Sequence, residues 1–293
     1  MTWFDADGSI GSTPRIAFAT RGDADPPVLF LPGSYSTEAA WRGVWAHLPE
    51  GWRLAATSLC GCGETTETRS PGDADMAHEL AVVTEAVRRL GGGPVHLVGH
   101  SFGGTVALAS ALFDRIPVAS LALFEANPLD LIAENSLLYG EAQALSTAFA
   151  KAIDRDEPDA AARIIDWWGG TGAFAAMPAA VQAFCRGVAR ANSLDWETDF
   201  GFRPERDAIS ALRISVLLVR GERAIPAMIA MTDALGALLP GARRAVVAEA
   251  GHFLISTHPE NCATLLADHL ERAVGAPTRV ERGSHDGTIA SRT

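Results

Sequence analysis

Pro94-Val95-His96-Leu97-Val98-Gly99-His100-Ser101-Phe102-Gly103-Gly104-Thr105-Val106-Ala107-Leu108-Ala109 is the stretch on which the reading of the whole chain turns. It opens with an apolar run of strand length, 95–99, and closes in sequence of helical character, 102–113. Between the two, Gly99-x-Ser101-x-Gly103 matches the G-x-S-x-G nucleophile elbow in the strand–turn–helix context that the motif requires. The geometry explains the composition. Strand must turn into helix within a residue or two, which strains Ser101 and lifts its hydroxyl above the sheet edge. Side chains at 99 and 103 would collide with neighbouring backbone, so both positions must be very small. The helix starting at Phe102 aims its positive end and free N–H groups at the same spot, which favours a developing oxyanion.

Outward from the elbow, short aliphatic or β-branched runs alternate with longer Ala-rich stretches. Strands are expected at 15–20, 28–31, 53–57, 95–99, 119–124, 215–220 and 244–248. Helices are expected at 38–47, 74–90, 102–113, 225–239 and 259–274. Such alternation predicts an α/β fold, a mostly parallel central sheet flanked by helices on both faces. From 127 to 206 the rhythm breaks: no strand-like run appears, and aromatics gather at Trp167, Trp168, Phe174, Phe184, Trp196, Phe200 and Phe202. That segment is too long and too apolar for a loop. The expected organisation is a core of 1–126 and 207–274, a helical lid of 127–206, and a polar, flexible tail of 275–293.

Composition narrows the function. The 293 residues are 48% apolar, as in a globular protein, and no apolar run approaches the roughly 18 residues of a membrane helix. The first residues, with Asp5, Asp7 and Arg15, lack a signal-like apolar stretch, so the expected location is the cytoplasm. The net charge is −11, Lys151 is the only lysine, and the arginines are scattered. No basic stripe could track a phosphate backbone, so neither nucleic acid nor a membrane is expected as partner. Cys60-Gly-Cys62, Cys185 and Cys262 lack the spacing of a redox or zinc site and read as reduced structural thiols. Neither metal nor cofactor is expected, and the protein should be a monomer or homodimer.

A serine hydroxyl is a poor nucleophile until a base takes its proton. Of eight histidines, His252 follows the last expected strand after a glycine, on a loop able to fold back over the elbow. His96 lies within a strand and His100 beside the serine, where packing roles are expected. His47, His78, His258, His269 and His285 fall on helices or in the tail.

With these motifs the sequence resembles the α/β-hydrolase superfamily over most of its length, in a serine esterase-like branch with a helical lid. Val28-Leu29-Phe30-Leu31-Pro32-Gly33-Ser34, with Trp41 downstream, resembles the family's first loop, usually His-Gly-x with a later Trp. Thr57-Ser58-Leu59-Cys60-Gly61-Cys62-Gly63-Glu64-Thr65 resembles the loop usually written Asp-x-x-Gly-x-Gly-x-Ser. Ala250-Gly251-His252-Phe253 resembles the terminal Gly-His that delivers the base. The resemblance implies an oxyanion hole made by the backbone N–H groups of Ser34 and Phe102. Pro32 stands where the family usually has His, but the hole needs only backbone.

The family usually supplies its acid just after the strand at 215–220, in a Gly-x-x-Asp pattern. Here Gly221-Glu222-Arg223-Ala224 lacks the Asp. One strand earlier, Leu121-Ala122-Leu123-Phe124 ends in Glu125. Neighbouring strands lie about 4.8 Å apart, and Glu reaches one methylene further than Asp, so Glu125 can approach the same histidine from one strand over. Haloalkane dehalogenases of this family take their acid from that place. The chemistry asks only for a carboxylate that accepts the Nδ1–H and stabilises the imidazolium. Glu125 is the expected acid, with Glu222 or no acid as alternatives.

A serine at the elbow excludes the branches that need a carboxylate nucleophile, the dehalogenases and epoxide hydrolases. Esterase, lactonase, thioesterase, amidase, C–C bond hydrolase, cofactor-free haloperoxidase and lyase remain, as does a non-hydrolytic small-molecule receptor. Hydrolysis of a carboxylic ester with a small to medium, largely apolar group, through an acyl-enzyme, is expected first. Phe102, Phe253, Trp41, Trp167 and Trp168 are the candidate pocket residues.

Overall fold

The computed structural model of the protein describes residues 14–113, 116–133 and 136–275. Strands β1 (Phe18–Arg21), β2 (Val28–Leu31), β3 (Leu54–Thr57), β4 (Val95–His100), β5 (Val118–Phe124), β6 (Ser215–Gly221) and β7 (Arg243–Val247) form one sheet in the order β1-β3-β2-β4-β5-β6-β7. Every pairing is parallel except that of β1 with β3. β1 starts at Phe18 rather than 15, and only its register with β3, Phe18 opposite Thr57, defines it. An edge strand paired on one side takes its limits from its neighbour, which local composition does not reveal.

Helices α1 (Arg42–His47), α2 (Met76–Arg89) and α3 (Phe102–Leu112) occupy the first half of the chain, and α4 (Leu137–Asp154), α5 (Ala160–Gly169), α6 (Ala179–Gly187) and α7 (Ala189–Gly201) fall between β5 and β6. Then come α8 (Arg206–Ser210), α9 (Pro226–Leu238), α10 (Leu254–Thr257) and α11 (Pro259–Gly275). The helix expected at 38–47 is split: Thr37 caps a 3-10 turn over Glu38–Trp41 before α1 begins. A period of two is visible in the burial of the strands. Leu29, Leu31, Leu97, Leu121, Leu123 and Leu218 face a core shared with α2, α3 and Leu235 of α9. Val28, Phe30, Val98, Ala122, Phe124, Leu217 and Val219 face a second core closed by α1, α10 and α11. A strand buried on both faces must be apolar throughout, which is why these runs do not alternate.

Trp41 belongs to the second core. It is fully buried, 5.1 Å from Phe30 and 5.8 Å from Phe124 between ring centroids. The tight 3-10 turn swings the indole beneath the sheet, so the expectation of a pocket role for Trp41 is corrected. The segment between β5 and β6 has no strand among its described residues, and α4–α7 pack around Phe149, Ile164, Trp168, Phe174 and Trp196, joined by Met228 and Met231 of α9. Phe202 departs from this group and inserts into the first core. The tail expected at 275–293 lies, beyond Gly275, outside the described residues.

Parallel strands send their carboxyl ends to one edge of the sheet. From β2 the chain moves outward to β3, then crosses back to β4 and proceeds through β5, β6 and β7 on the other side. The change of direction opens a crevice at the carboxyl ends of β2 and β4. Ser34 follows β2, Ser101 follows β4, Glu125 follows β5 and His252 follows β7, so four distant stretches of sequence meet at this edge.

Candidate active site

Ser101 stands at φ 53° and ψ −128°, between the end of β4 and the start of α3. A Cβ on Gly99 would strike the Gly103 carbonyl, and one on Gly103 would strike the carbonyls of Leu31 and Pro32. The bend therefore demands glycine at both positions, as the motif predicts. The Ser101 N–H donates to the Phe124 carbonyl at 3.0 Å, tying the strained residue to β5. Its side chain does not cap α3, which leaves the hydroxyl available to the crevice.

The imidazole of His252 joins two of the predicted residues. Its Nε2 lies 2.9 Å from Ser101 Oγ, and its Nδ1 lies 2.7 Å from Glu125 Oε2. Glu125 is 1% exposed, and its other oxygen accepts the Gly221 N–H at 2.7 Å. Its own N–H donates to Val219 on β6, so backbone and carboxylate both brace against the neighbouring strand. The backbone at Glu125 is left-handed, φ 48°, which turns the side chain off the strand tip toward β7. Glu222 instead is exposed and accepts the Glu249 N–H at 2.9 Å. Between the two carboxylates weighed from the sequence, only Glu125 meets the histidine.

His252 is held between two rings. Trp168 of α5 stacks on it, with centroids 4.5 Å apart and planes 21° from parallel. His100 lies 5.0 Å away, and its Nε2 donates to the His252 carbonyl at 2.8 Å. Burial, and to a smaller degree the neighbouring His252, push the His100 pKa down to about 3, so it stays neutral and anchors the loop.

The Gly33–Ser34 backbone runs directly beside the elbow: a Cβ at Gly33 would come 2.9 Å from that of Ser101. Both Ser34 and Phe102 line the crevice. A buried ionic cluster, which no sequence motif announced, holds the Ser34 loop. The Ser34 hydroxyl donates to Asp195 of α7 at 2.6 Å, and Arg69 donates to the other Asp195 oxygen at 2.7 Å. Arg69 also pairs with Glu79 at 3.0 Å and Glu67 at 2.9 Å, and donates to the Cys60 carbonyl. Burial pushes the Glu79 carboxyl up to about 7 against the opposing pull of Arg69.

Over the serine lies a cavity of about 510 Å³, within the usual range of small-molecule sites. Ile164, Ile165, Trp168, Met177, Val181 and Phe253 make an apolar wall, whereas Tyr35, Asn127, Asn192, Asp195 and Asp199 make a polar one. Phe102, Phe253 and Trp168 thus lie where pocket residues were expected. Trp167 does not: it packs edge-on against Trp168 at 4.4 Å and near Trp196 at 5.9 Å. Successive helical residues diverge by about 100°, so Trp168 facing the histidine turns Trp167 away, and that expectation is corrected. All four cysteines are free and buried, and burial raises the pKa of the Cys62 thiol, then Asp195 adds to it. Among the described residues no group of three or more His, Cys, Asp or Glu side chains could hold a metal ion. No helix among them is long and apolar enough to cross a membrane.

A mostly parallel sheet with its polar constellation at the carboxyl edge defines the class, and the family model for the alpha/beta hydrolase fold matches residues 26–259. The chain belongs to the α/β-hydrolase family. It is similar to the pimeloyl-[acyl-carrier protein] methyl ester esterase of Aromatoleum aromaticum, at 27% identity over 254 residues, covering 83% of this chain and 97% of that relative. Two solved structures superpose with a TM-score of 0.71. One is an alpha/beta hydrolase from Sphaerobacter thermophilus, 20% identical, with 90% of this chain and 98% of that one covered. The other is a thermophilic esterase from Thermogutta terrifontis, 22% identical, with 89% and 94% covered.

Proposed function

We propose that the protein is a serine hydrolase of carboxylic esters that works through an acyl-enzyme. Ser101 Oγ attacks the ester carbonyl carbon while His252 Nε2 takes the hydroxyl proton. The Glu125 carboxylate holds the Nδ1–H and stabilises the imidazolium that forms. The negative charge collecting on the carbonyl oxygen is met by the N–H groups of Ser34 and Phe102. Collapse breaks the bond to the alkoxy oxygen, which leaves with the proton from His252. Water then attacks the acyl carbon while His252 takes its proton; collapse breaks the bond to Ser101 Oγ, which recovers the proton from His252 as the carboxylic acid leaves. The helices α4–α7 serve as the lid of this site, and Trp168 carries the lid's contact to the base.

The observation that carries this reading is the unbroken chain from Ser101 Oγ through His252 to Glu125, opening on a largely apolar cavity. The similarity to a methyl ester esterase supports an ester as the substrate class. The test is labelling with a fluorophosphonate probe alongside hydrolysis of 4-nitrophenyl esters of increasing acyl length. Wild type should label at Ser101 and turn over the esters, and Ser101→Ala should do neither, with kcat lower by roughly 10⁶. Hydrolysis that survives intact in Ser101→Ala would overturn the proposal.

A further inference from the structure

Helix α7 presents an unusual face to the cavity. Asn192, Asp195, Trp196 and Asp199 recur at i, i+3, i+4 and i+7, which places them on one side of the helix, and all four line the cavity. A helix covering an apolar site ordinarily buries an apolar stripe there. Here three of the four are polar, although Asn192 and Asp199 are each only 2% exposed.

Their partners account for some of the polar atoms but not for all. The Asn192 amide donates to Asp195 at 3.3 Å, and the Asn127 amide donates to Asp199 Oδ2 at 3.1 Å. Asn192 Oδ1, Asp199 Oδ1 and the hydroxyl of Tyr35 are buried without a hydrogen-bond partner, and all three side chains line the same cavity. Buried polar atoms without partners are rare because each forfeits its hydration. Three around one cavity are accounted for if a ligand supplies what is missing.

We infer that this wall is a recognition subsite for an uncharged hydrogen-bonding group of the substrate, of the amide or hydroxyl type, held by Asn192, Asp199 and Tyr35. The inference rests on the esterase reading and adds to it the polar part of the substrate. Asn192 Oδ1 accepts the group's N–H or O–H, while the Tyr35 hydroxyl and the neutral Asp199 carboxyl, protonated on Oδ1 because Oδ2 accepts from Asn127, donate to its oxygen. The charge states agree. Burial first, then the nearby Asp195, hold the Tyr35 phenol well above its ordinary pKa, so it remains a donor. Burial likewise lifts Asp199 well above the carboxylate range against the opposing pull of the Leu129 backbone N–H, with Asp195 adding to the rise, so this cavity-lining residue carries a neutral carboxyl rather than an anion. Asp195, the other acid of this face, is already satisfied by Arg69 and Ser34. A neutral guest fits this set better than a cation.

The test compares 4-nitrophenyl esters that differ in a single group: N-acetyl-β-alanine and N-acetyl-γ-aminobutyrate esters against alkyl esters of equal chain length, with the 6-aminohexanoate ester as the cationic arm. For wild type, kcat/KM for one of the amide esters should exceed that of its alkyl counterpart by about tenfold or more. Tyr35→Phe, which removes only the unpartnered hydroxyl, and Asn192→Leu, which removes Oδ1 together with the amide bound to Asp195, should each cut that ratio by about tenfold. Asp199→Asn, which stays uncharged and puts an N–H donor where the carboxyl O–H stood while its oxygen still accepts from Asn127, should hold the ratio within about threefold of wild type, whereas Asp199→Leu should cut it about tenfold. A ratio near one that the substitutions do not move, with Ser101 still labelled and alkyl esters still cleaved, overturns the subsite and leaves the esterase reading intact. Preference for the ammonium ester overturns the uncharged guest. Failure of every ester, together with loss of labelling, overturns both.

Discussion

Ser101 and Glu125 both carry positive φ values, 53° and 48°, at the tips of adjacent strands. Such backbone costs of order 1–3 kcal/mol per residue and persists where the surroundings over-determine it. For Ser101 the constraint comes from the two glycines and the hydrogen bond to Phe124, and for Glu125 from its bonds to Val219 and Gly221. Two strained non-glycine residues, each aimed at one imidazole, put the strain where chemistry is proposed. Glu125→Gln leaves a side chain of the same shape that no longer stabilises an imidazolium, and kcat should fall roughly 10³–10⁴-fold. Glu222→Gln should change kcat little, since Glu222 bonds only the Glu249 backbone amide. Steady-state kinetics on one ester decides between them, and the opposite ranking would move the acid to the later strand.

At the scale of elements, α7 is tied to α2 and to the connection before it through a buried cluster of charged side chains. Arg69 sits between Glu67, Glu79 and Asp195 with its own side chain fully buried. Replacing it by Met removes one partner and leaves Glu79 and Asp195 uncompensated, which is costlier than never having built the cluster. Arg69→Met should lower unfolding stability by roughly 3–5 kcal/mol, read from the urea midpoint at unchanged slope. A loss below about 1 kcal/mol would mean that water already screens the cluster. Because Asp195 also holds the Ser34 hydroxyl, the same variant should loosen the loop proposed to carry an oxyanion donor, and kcat should fall more than KM rises.

Over the whole molecule, burial has its clearest consequence in the pH dependence of folding. Desolvation lowers the pKa of His96 to about 4, of His269 to about 4 and of His100 to about 3. Unfolded histidine titrates near 6.5, so between that pH and about 4 the unfolded chain binds protons that the folded one does not. Stability from these groups is therefore complete above about pH 6.5 and is lost as the pH falls toward 4. Glu79, raised to about 7, works in the other direction over much of the same window, one group against three. His269→Gln should reduce the steepness of the stability loss at pH 5 by close to one proton, measured from urea unfolding across pH 4.5–7. An unchanged slope would show that His269 is protonated in the folded protein. The same division between local and distant determinants runs through the fold and the site. Glycine spacing, apolar runs and the Gly-His after the last strand were legible as sequence, because a strained bend and a doubly covered strand each restrict residue type at the position itself. So the α/β-hydrolase fold and the candidates Ser101 and His252 could be read from motif and resemblance, and the candidate Glu125 from side-chain reach together with the resemblance. The inward turn of Trp41, the outward turn of Trp167, the Arg69 cluster and the polar face of α7 could not. Glu125 and His252 are 127 residues apart, and Arg69 and Asp195 are 126. Their pairing is set by strand order and helix docking, and nothing in either neighbourhood encodes the partner.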